Sequence, residues 1–128
     1  MAETSILIVD DDPDSLEIVR TFLESRGYHV TTAPDGTSAL AKLEEAQPAL
    51  VLLDVMMPGM DGWEVARVIK NHADFAETRV VMLTARSGFA DKQEGLRSGA
   101  DDYIVKPIRL DDLAERVEKN LEARAKET

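Results

Sequence analysis

Short aliphatic runs, separated by segments of helical periodicity, dominate the pattern of this chain. The runs 6–9 (ILIV), 50–53 (LVLL) and 80–83 (VVML) are almost continuously apolar, as expected for strands covered on both faces. The more alternating stretch 28–32 (YHVTT) reads as an edge strand, and 103–105 (YIV) as a short fifth. Leu16, Val19 and Leu23 fall on one face of a first helix that Asp12 can cap, Pro13 can open and Gly27 closes. A second helix covers 37–46, with Ala39, Leu40 and Leu43 inward and Pro48 beyond its end. A third starts near Gly62 and buries Val65, Ala66 and Ile69, and the last runs from Leu110 with the stripe Leu113, Val117 and Leu121. A further helix over 89–97 is weaker, because Gly88, Gly95 and Gly99 bound or interrupt it. It is expected to be the least rigid element. Strands alternating with helices predict an α/β domain with a parallel sheet.

Composition narrows the partners. The 128 residues suit one domain with one hydrophobic core, and no repeat or linker breaks the chain. Fifteen basic residues against twenty-five acidic ones give a net charge of −10, which disfavours direct binding to nucleic acid or an anionic membrane. Cysteine is absent, so disulfides and thiolate chemistry are excluded. The start MAETSILIVDDD has no basic region and too short an apolar run for a signal peptide, and no segment can span a bilayer. A cytoplasmic location is the natural expectation.

In an open parallel sheet, ligands bind beyond the carboxyl ends of the strands. The first strand runs straight into Asp10 and Asp11; the third ends in Asp54, the fourth in Thr84 and the fifth in Lys106. Three carboxylates without histidine or cysteine form a hard-oxygen site, which suits Mg²⁺. Lys106 is a mobile point charge of the kind that pairs with phosphoryl oxygens, and Thr84 can donate to the same group. An aspartate beside such an ion and a lysine is arranged as a nucleophile toward phosphorus.

These residues lie in IVDDD, in LLDVMMPGMDG, in MLTAR with Thr84 and Ala85, and in DDYIVKP with Tyr103, Lys106 and Pro107. Together they resemble the receiver domains of two-component response regulators, the CheY-like family, over about residues 5–122. The resemblance implies a flavodoxin-like three-layer (βα)5 fold with strand order 2-1-3-4-5, residues 1–128 being a single receiver domain with no output domain in this chain. It implies that Asp54 is the phosphoacceptor. Asp11 then binds Mg²⁺ (or Mn²⁺) directly, Asp10 acts mainly through a coordinated water, and Met56 lends its backbone carbonyl. Lys106 pairs with the phosphoryl group or, without it, with Asp54. Thr84 moves to hydrogen-bond the phosphoryl oxygen, Tyr103 turns inward behind it, and the Lys106–Pro107 bond is cis. The donor is a sensor histidine kinase or histidine phosphotransfer protein, and the recipient of the signal a downstream protein or an output domain. The recognition face combines the helix over 89–97, the fifth strand and the last helix. On it Lys92, Asp102, Asp112 and Arg116 resemble a surface for phosphorylation-dependent dimerisation, as in a receiver belonging to a longer DNA-binding regulator. The expected chemistry is self-catalysed phosphotransfer and autodephosphorylation, not enzymatic turnover.

Competing readings are weighed on particular residues. A phosphatase of the dehalogenase class needs a second aspartate two places after the nucleophile, where this chain has Met56. A flavin module is disfavoured by the three aspartates after the first strand, which repel a cofactor phosphate. Asp12 reads as a helix cap, not a ligand, and His29 and His72 as surface residues. Trp63 is assigned to rim packing, with a possible role as a fluorescent reporter. The resemblance places Met56 and Arg86, the positions two beyond Asp54 and Thr84, beside the phosphoryl group. There a bulky apolar and a long cationic side chain are expected to hinder an attacking water and make self-dephosphorylation slow.

Overall fold

The computed structural model describes residues 4–55, 61–84 and 99–127. Its strands are β1 (Ser5–Val9), β2 (His29–Ala33), β3 (Leu50–Asp54), β4 (Arg79–Thr84) and β5 (Asp102–Val105). They form one parallel sheet in the order β2-β1-β3-β4-β5, the topology expected. The helices are α1 (Pro13–Ser25), α2 (Gly36–Ala46), α3 (Gly62–Asn71) and α4 (Leu110–Glu127), with a 3₁₀ turn at Ala73–Phe75. The weak helix over 89–97 lies outside the described residues.

Alternation of side chains sends each strand to two cores. Leu7, Val9, Val51, Leu53, Val80 and Met82 pack with Ala39, Leu43, Val65, Ala66 and Ile69, the inward stripes of α2 and α3. Ile6, Ile8, Leu50, Leu52, Val81 and Leu83 pack with Val19 and Leu23 of α1 and Leu113 and Val117 of α4. Coverage on both faces explains why β1, β3 and β4 carry no polar residue between their ends. Two fully covered faces also fix the register, since a one-residue slip would exchange the cores.

Helix ends follow local chemistry. Asp12 caps α1 by accepting from the Asp14 amide and the Ser15 hydroxyl. Gly27, at φ +95°, supplies the left-handed conformation that lets the chain leave α1. Asp35 caps α2 through the Ser38 amide at 2.7 Å, and the helix opens at Gly36, one residue before the start read from periodicity. That hydrogen bond holds the Asp35 carboxyl below its ordinary aspartate range. A carboxyl depressed in the folded state stabilises fully above its unfolded pKa and loses this contribution as pH falls through the folded value. Asp35→Asn keeps an acceptor but no titration, so its melting temperature should fall less than the wild type's between neutral and acid pH. Equal falls in calorimetry would contradict this.

Candidate active site

Strand register brings distant residues to one edge of the sheet. Val9 pairs with Leu53, so the next residues, Asp10 and Asp54, leave adjacent strands side by side. Asp54 pairs with Leu83, and Thr84 with Val105, which places Lys106 just past the end of β5 at the same edge. Asp10, Asp54 and Thr84 are buried and Asp11 is exposed. One carboxylate oxygen from each of Asp10, Asp11 and Asp54 lies within 4.8 Å of the others. Lys106 Nζ sits 3.3 Å from Asp54 Oδ1 and 3.7 Å from Asp10 Oδ2.

Three negative groups against one ammonium leave the pocket with an excess of two negative charges. Carboxylates about 5 Å apart repel by about 3 kcal/mol at an effective dielectric near 20. A divalent cation balances that excess, and an all-oxygen donor set open to solvent at Asp11 fits Mg²⁺ better than zinc or copper.

The backbone holds this arrangement against its own repulsion. The Asp12 amide donates to Asp10 Oδ1 at 3.0 Å, and the Asp10 amide donates to the Ala33 carbonyl at 3.2 Å. Lys106 donates its amide to the Thr84 carbonyl at 2.7 Å, tying the end of β5 to the end of β4. The Lys106–Pro107 bond is cis, as expected. Gly62 opens α3 directly against the acidic strand: a Cβ there would lie 2.3 Å from the Asp54 carbonyl oxygen. The sequence marks Gly62 only as the start of the third helix, because nothing in one sequence signals a backbone approach of that closeness.

Other residues fall as follows. Tyr103 is half-buried and packs against the core shared with α2 and α3. Asp12 is the α1 cap and not part of the carboxylate cluster. Trp63 corrects the rim assignment: it is buried in the core under α3, since the first turn of that helix lies flat on β3. His29 is exposed, and exposed His72 accepts the Asp74 amide at Nδ1 to cap the 3₁₀ turn. Met56, Arg86 and Lys92 lie outside the described residues. Beside the pocket, Ser15, Ile18 and Val19 of α1 and residues 106–108 with Leu110 line an open groove of about 400 Å³. Ile18 is 59% exposed on its wall.

Residues 6–118 match the family model described as the response regulator receiver domain. The chain belongs to this family. The receiver domain is 44% identical over 116 residues to the DNA-binding response regulator MtrA of Mycolicibacterium smegmatis, covering 91% of this chain and 50% of that protein. It is 43% identical over 126 residues to the transcriptional regulatory protein ResD of Bacillus subtilis, covering 98% and 51%. It thus spans about half the length of the curated relatives it matches. Among solved structures it is similar to a CheY-like receiver domain protein of Methanospirillum hungatei (TM-score 0.92, 32% identity, 99% of this chain and 100% of that one). It is also similar to the chemotaxis protein CheY4 of Vibrio cholerae (TM-score 0.89, 34% identity, 92% and 98%). Receiver domains are signalling proteins, not classical enzymes, and bind Mg²⁺ at an acidic pocket, to which the Asp10, Asp11 and Asp54 cluster corresponds. Among the described residues no helix is long and apolar enough to cross a membrane.

Proposed function

We propose that residues 1–128 act as one cytoplasmic phosphorylation switch, in which Asp54 takes a phosphoryl group from a phosphohistidine on a sensor kinase or phosphotransfer protein. The observation that carries this reading is a buried Asp54 carboxylate facing the Lys106 ammonium at 3.3 Å, inside a cluster of three carboxylates. An oxygen of Asp54 attacks phosphorus in line with the P–N bond. The new O–P bond forms as the P–N bond breaks and its electron pair returns to the imidazole nitrogen. Mg²⁺ would be held by Asp11, Asp54 and the Met56 backbone carbonyl, with Asp10 acting mainly through a water, and would supply neutralisation of the phosphoryl charge. Lys106 exchanges its contact with Asp54 for a phosphoryl oxygen. Thr84, at the end of β4, moves to donate its hydroxyl to another, and Tyr103 turns inward into the space left behind. Intact mass after incubation with acetyl phosphate and Mg²⁺ tests the reading. A gain of one phosphoryl group is expected, and no gain refutes it.

The groove beside Lys106 is the docking place for the phosphohistidine-bearing partner. It is apolar, opens next to the phosphoacceptor, and presents Ile18 to solvent. Ile18→Glu is expected to slow phosphotransfer from the cognate histidine protein by about tenfold or more, since a central apolar anchor contributes over 1 kcal/mol. Phosphorylation by acetyl phosphate, which needs no docking, should stay unchanged. An equal loss with both donors would overturn this assignment.

The output is pairing of two copies through the face made by β5 and α4. The half-length match to proteins named as DNA-binding regulators is consistent with a receiver that governs such a partner domain. The strong acidic charge of this chain fits a role at protein surfaces and not at DNA itself.

A further inference from the structure

At the edge of the sheet opposite the acidic pocket, a row of polar side chains crosses from α3 to α4. Lys70 Nζ donates to the carbonyls of Ala76 (3.2 Å) and Thr78 (2.9 Å) and to Asp101 Oδ2 (3.0 Å). Asp101 Oδ1 lies 3.5 Å from Arg79 Nη1. Arg79 donates to Asn120 Oδ1 through Nη2 at 3.1 Å and Nε at 3.4 Å. Asn120 Nδ2 donates to Asp102 Oδ2 at 3.0 Å and to the Arg116 carbonyl at 2.8 Å. Asp102 Oδ1 then accepts from Arg116 Nη1 at 2.8 Å, and Arg116 Nε lies 3.7 Å from Asp112 Oδ1.

Asn120 is the buried turning point of this row, 2% exposed. Arg79 can only donate and Asp102 can only accept, so the amide is held in one orientation with its donors and acceptor all engaged. Exposure then rises outward: the Asp102 side chain is 16% exposed, Arg116 38% and Asp112 45%. The accessible end of the row is therefore a fixed guanidinium beside a carboxylate, on the face assigned above to pairing. A two-fold interface brings one patch against its own copy, so each copy must offer both a donor and an acceptor. Fixing a long arginine side chain before docking lowers the entropy lost on association. Without the Asn120 amide, Asp102 Oδ2 loses that donor, while Arg79 keeps its contact with Asp101. The Asp102 carboxylate is then held through Oδ1 alone, by the Tyr103 amide and Arg116, and can rotate, so that the Arg116 guanidinium is no longer fixed in one place.

We propose that Asn120, braced by Arg79, is a positioning residue that fixes Asp102 and thereby presents Arg116 to a carboxylate of a second copy of this chain. The proposal rests on the reading of this face as a self-pairing surface. Sedimentation of the full chain with Mg²⁺ and beryllofluoride separates the two. A wild type that stays monomeric overturns the pairing reading itself, and the present inference with it, before any variant is compared. If the wild type pairs, Asn120→Ala should raise the dimer dissociation constant about tenfold, a coupling of the size seen between contacting residues. Its rate of phosphorylation by acetyl phosphate should be unchanged. Combining Asn120→Ala with Arg116→Ala should weaken pairing no further than Arg116→Ala alone, because the first acts through the second. A purely structural role predicts losses that add. Additive losses, or wild-type affinity in Asn120→Ala, overturn the proposal. Arg79→Gln repeats the test with Asn120 in place should the alanine variant fail to fold.

Discussion

Replacing Asp54 with asparagine should abolish the Mg²⁺-dependent mass gain and, at the same time, make the metal-free protein more stable. The first effect follows from the role proposed for Asp54 as nucleophile: an amide oxygen in the same place does not displace imidazole or acetate from phosphorus. The second follows from the charge balance. Asp54 has two carboxylate neighbours within 4.8 Å, each repelling it by about 3 kcal/mol at an effective dielectric near 20. The Lys106 ammonium at 3.3 Å returns about 5 kcal/mol on the same scale. Desolvation of a carboxylate that is only 4% exposed adds to the cost, while solvent around exposed Asp11 reduces it. Neutralising residue 54 should thus stabilise by about 1–3 kcal/mol in urea denaturation with chelator present. Mg²⁺ should raise the melting temperature of the wild type more than that of the variant, because a ligand stabilises in proportion to its affinity for the folded state. A variant less stable than the wild type in chelator would show that the acidic cluster is not a strained site.

Most of the fold was legible because aliphatic continuity and helical spacing are strong signals. ILIV, LVLL and VVML form three central strands, and the apolar stripes of all four described helices pack onto the sheet. What periodicity missed lies at element ends. β2 runs one residue later than the YHVTT stretch, and β4 takes in Arg79 and Thr84 at its two polar ends. Both arise because backbone pairing with a neighbour, not side-chain type, decides where a strand stops. Trp63 went astray because a large aromatic at the start of a helix is apolar on either a rim or a core. Only the placement of α3 on β3 decides between them.

The acidic site was legible for a different reason. Asp10, Asp54 and Lys106 are far apart in sequence, but each follows an aliphatic run, and parallel topology places all such ends together. Residues that act by backbone geometry or by partnership across elements left no comparable trace. Gly62 looks like any loop glycine, and Asn120 reads as one polar position on an amphipathic helix. Its role depends on Arg79, forty-one residues earlier.

Among the described glycines, replacing Gly62 with alanine should have the largest structural effect. At the first position of a helix such a change normally stabilises by about 0.5–1 kcal/mol, through lower backbone entropy in the unfolded chain. Here the sign reverses, because the new Cβ would meet the Asp54 carbonyl oxygen at 2.3 Å and the Val55 Cα at 2.8 Å. Those are backbone atoms of the acidic strand and cannot swing aside like a side chain. Either α3 lifts from the sheet, exposing Trp63 and Val65, or the end of β3 shifts and carries the Asp54 carboxylate away from Lys106. Both routes cost about 2–4 kcal/mol, and the second also slows phosphorylation by acetyl phosphate. Gly27→Ala is the control: its Cβ meets nothing within 4 Å, so only the strain of φ +95° remains, far from the pocket. Urea denaturation and phosphorylation rates of the two variants, measured side by side, should show a stability loss in both. Only Gly62→Ala should also lose rate, and a Gly62→Ala protein as stable and as reactive as the wild type would mean that α3 does not rest on the acidic strand as closely as described.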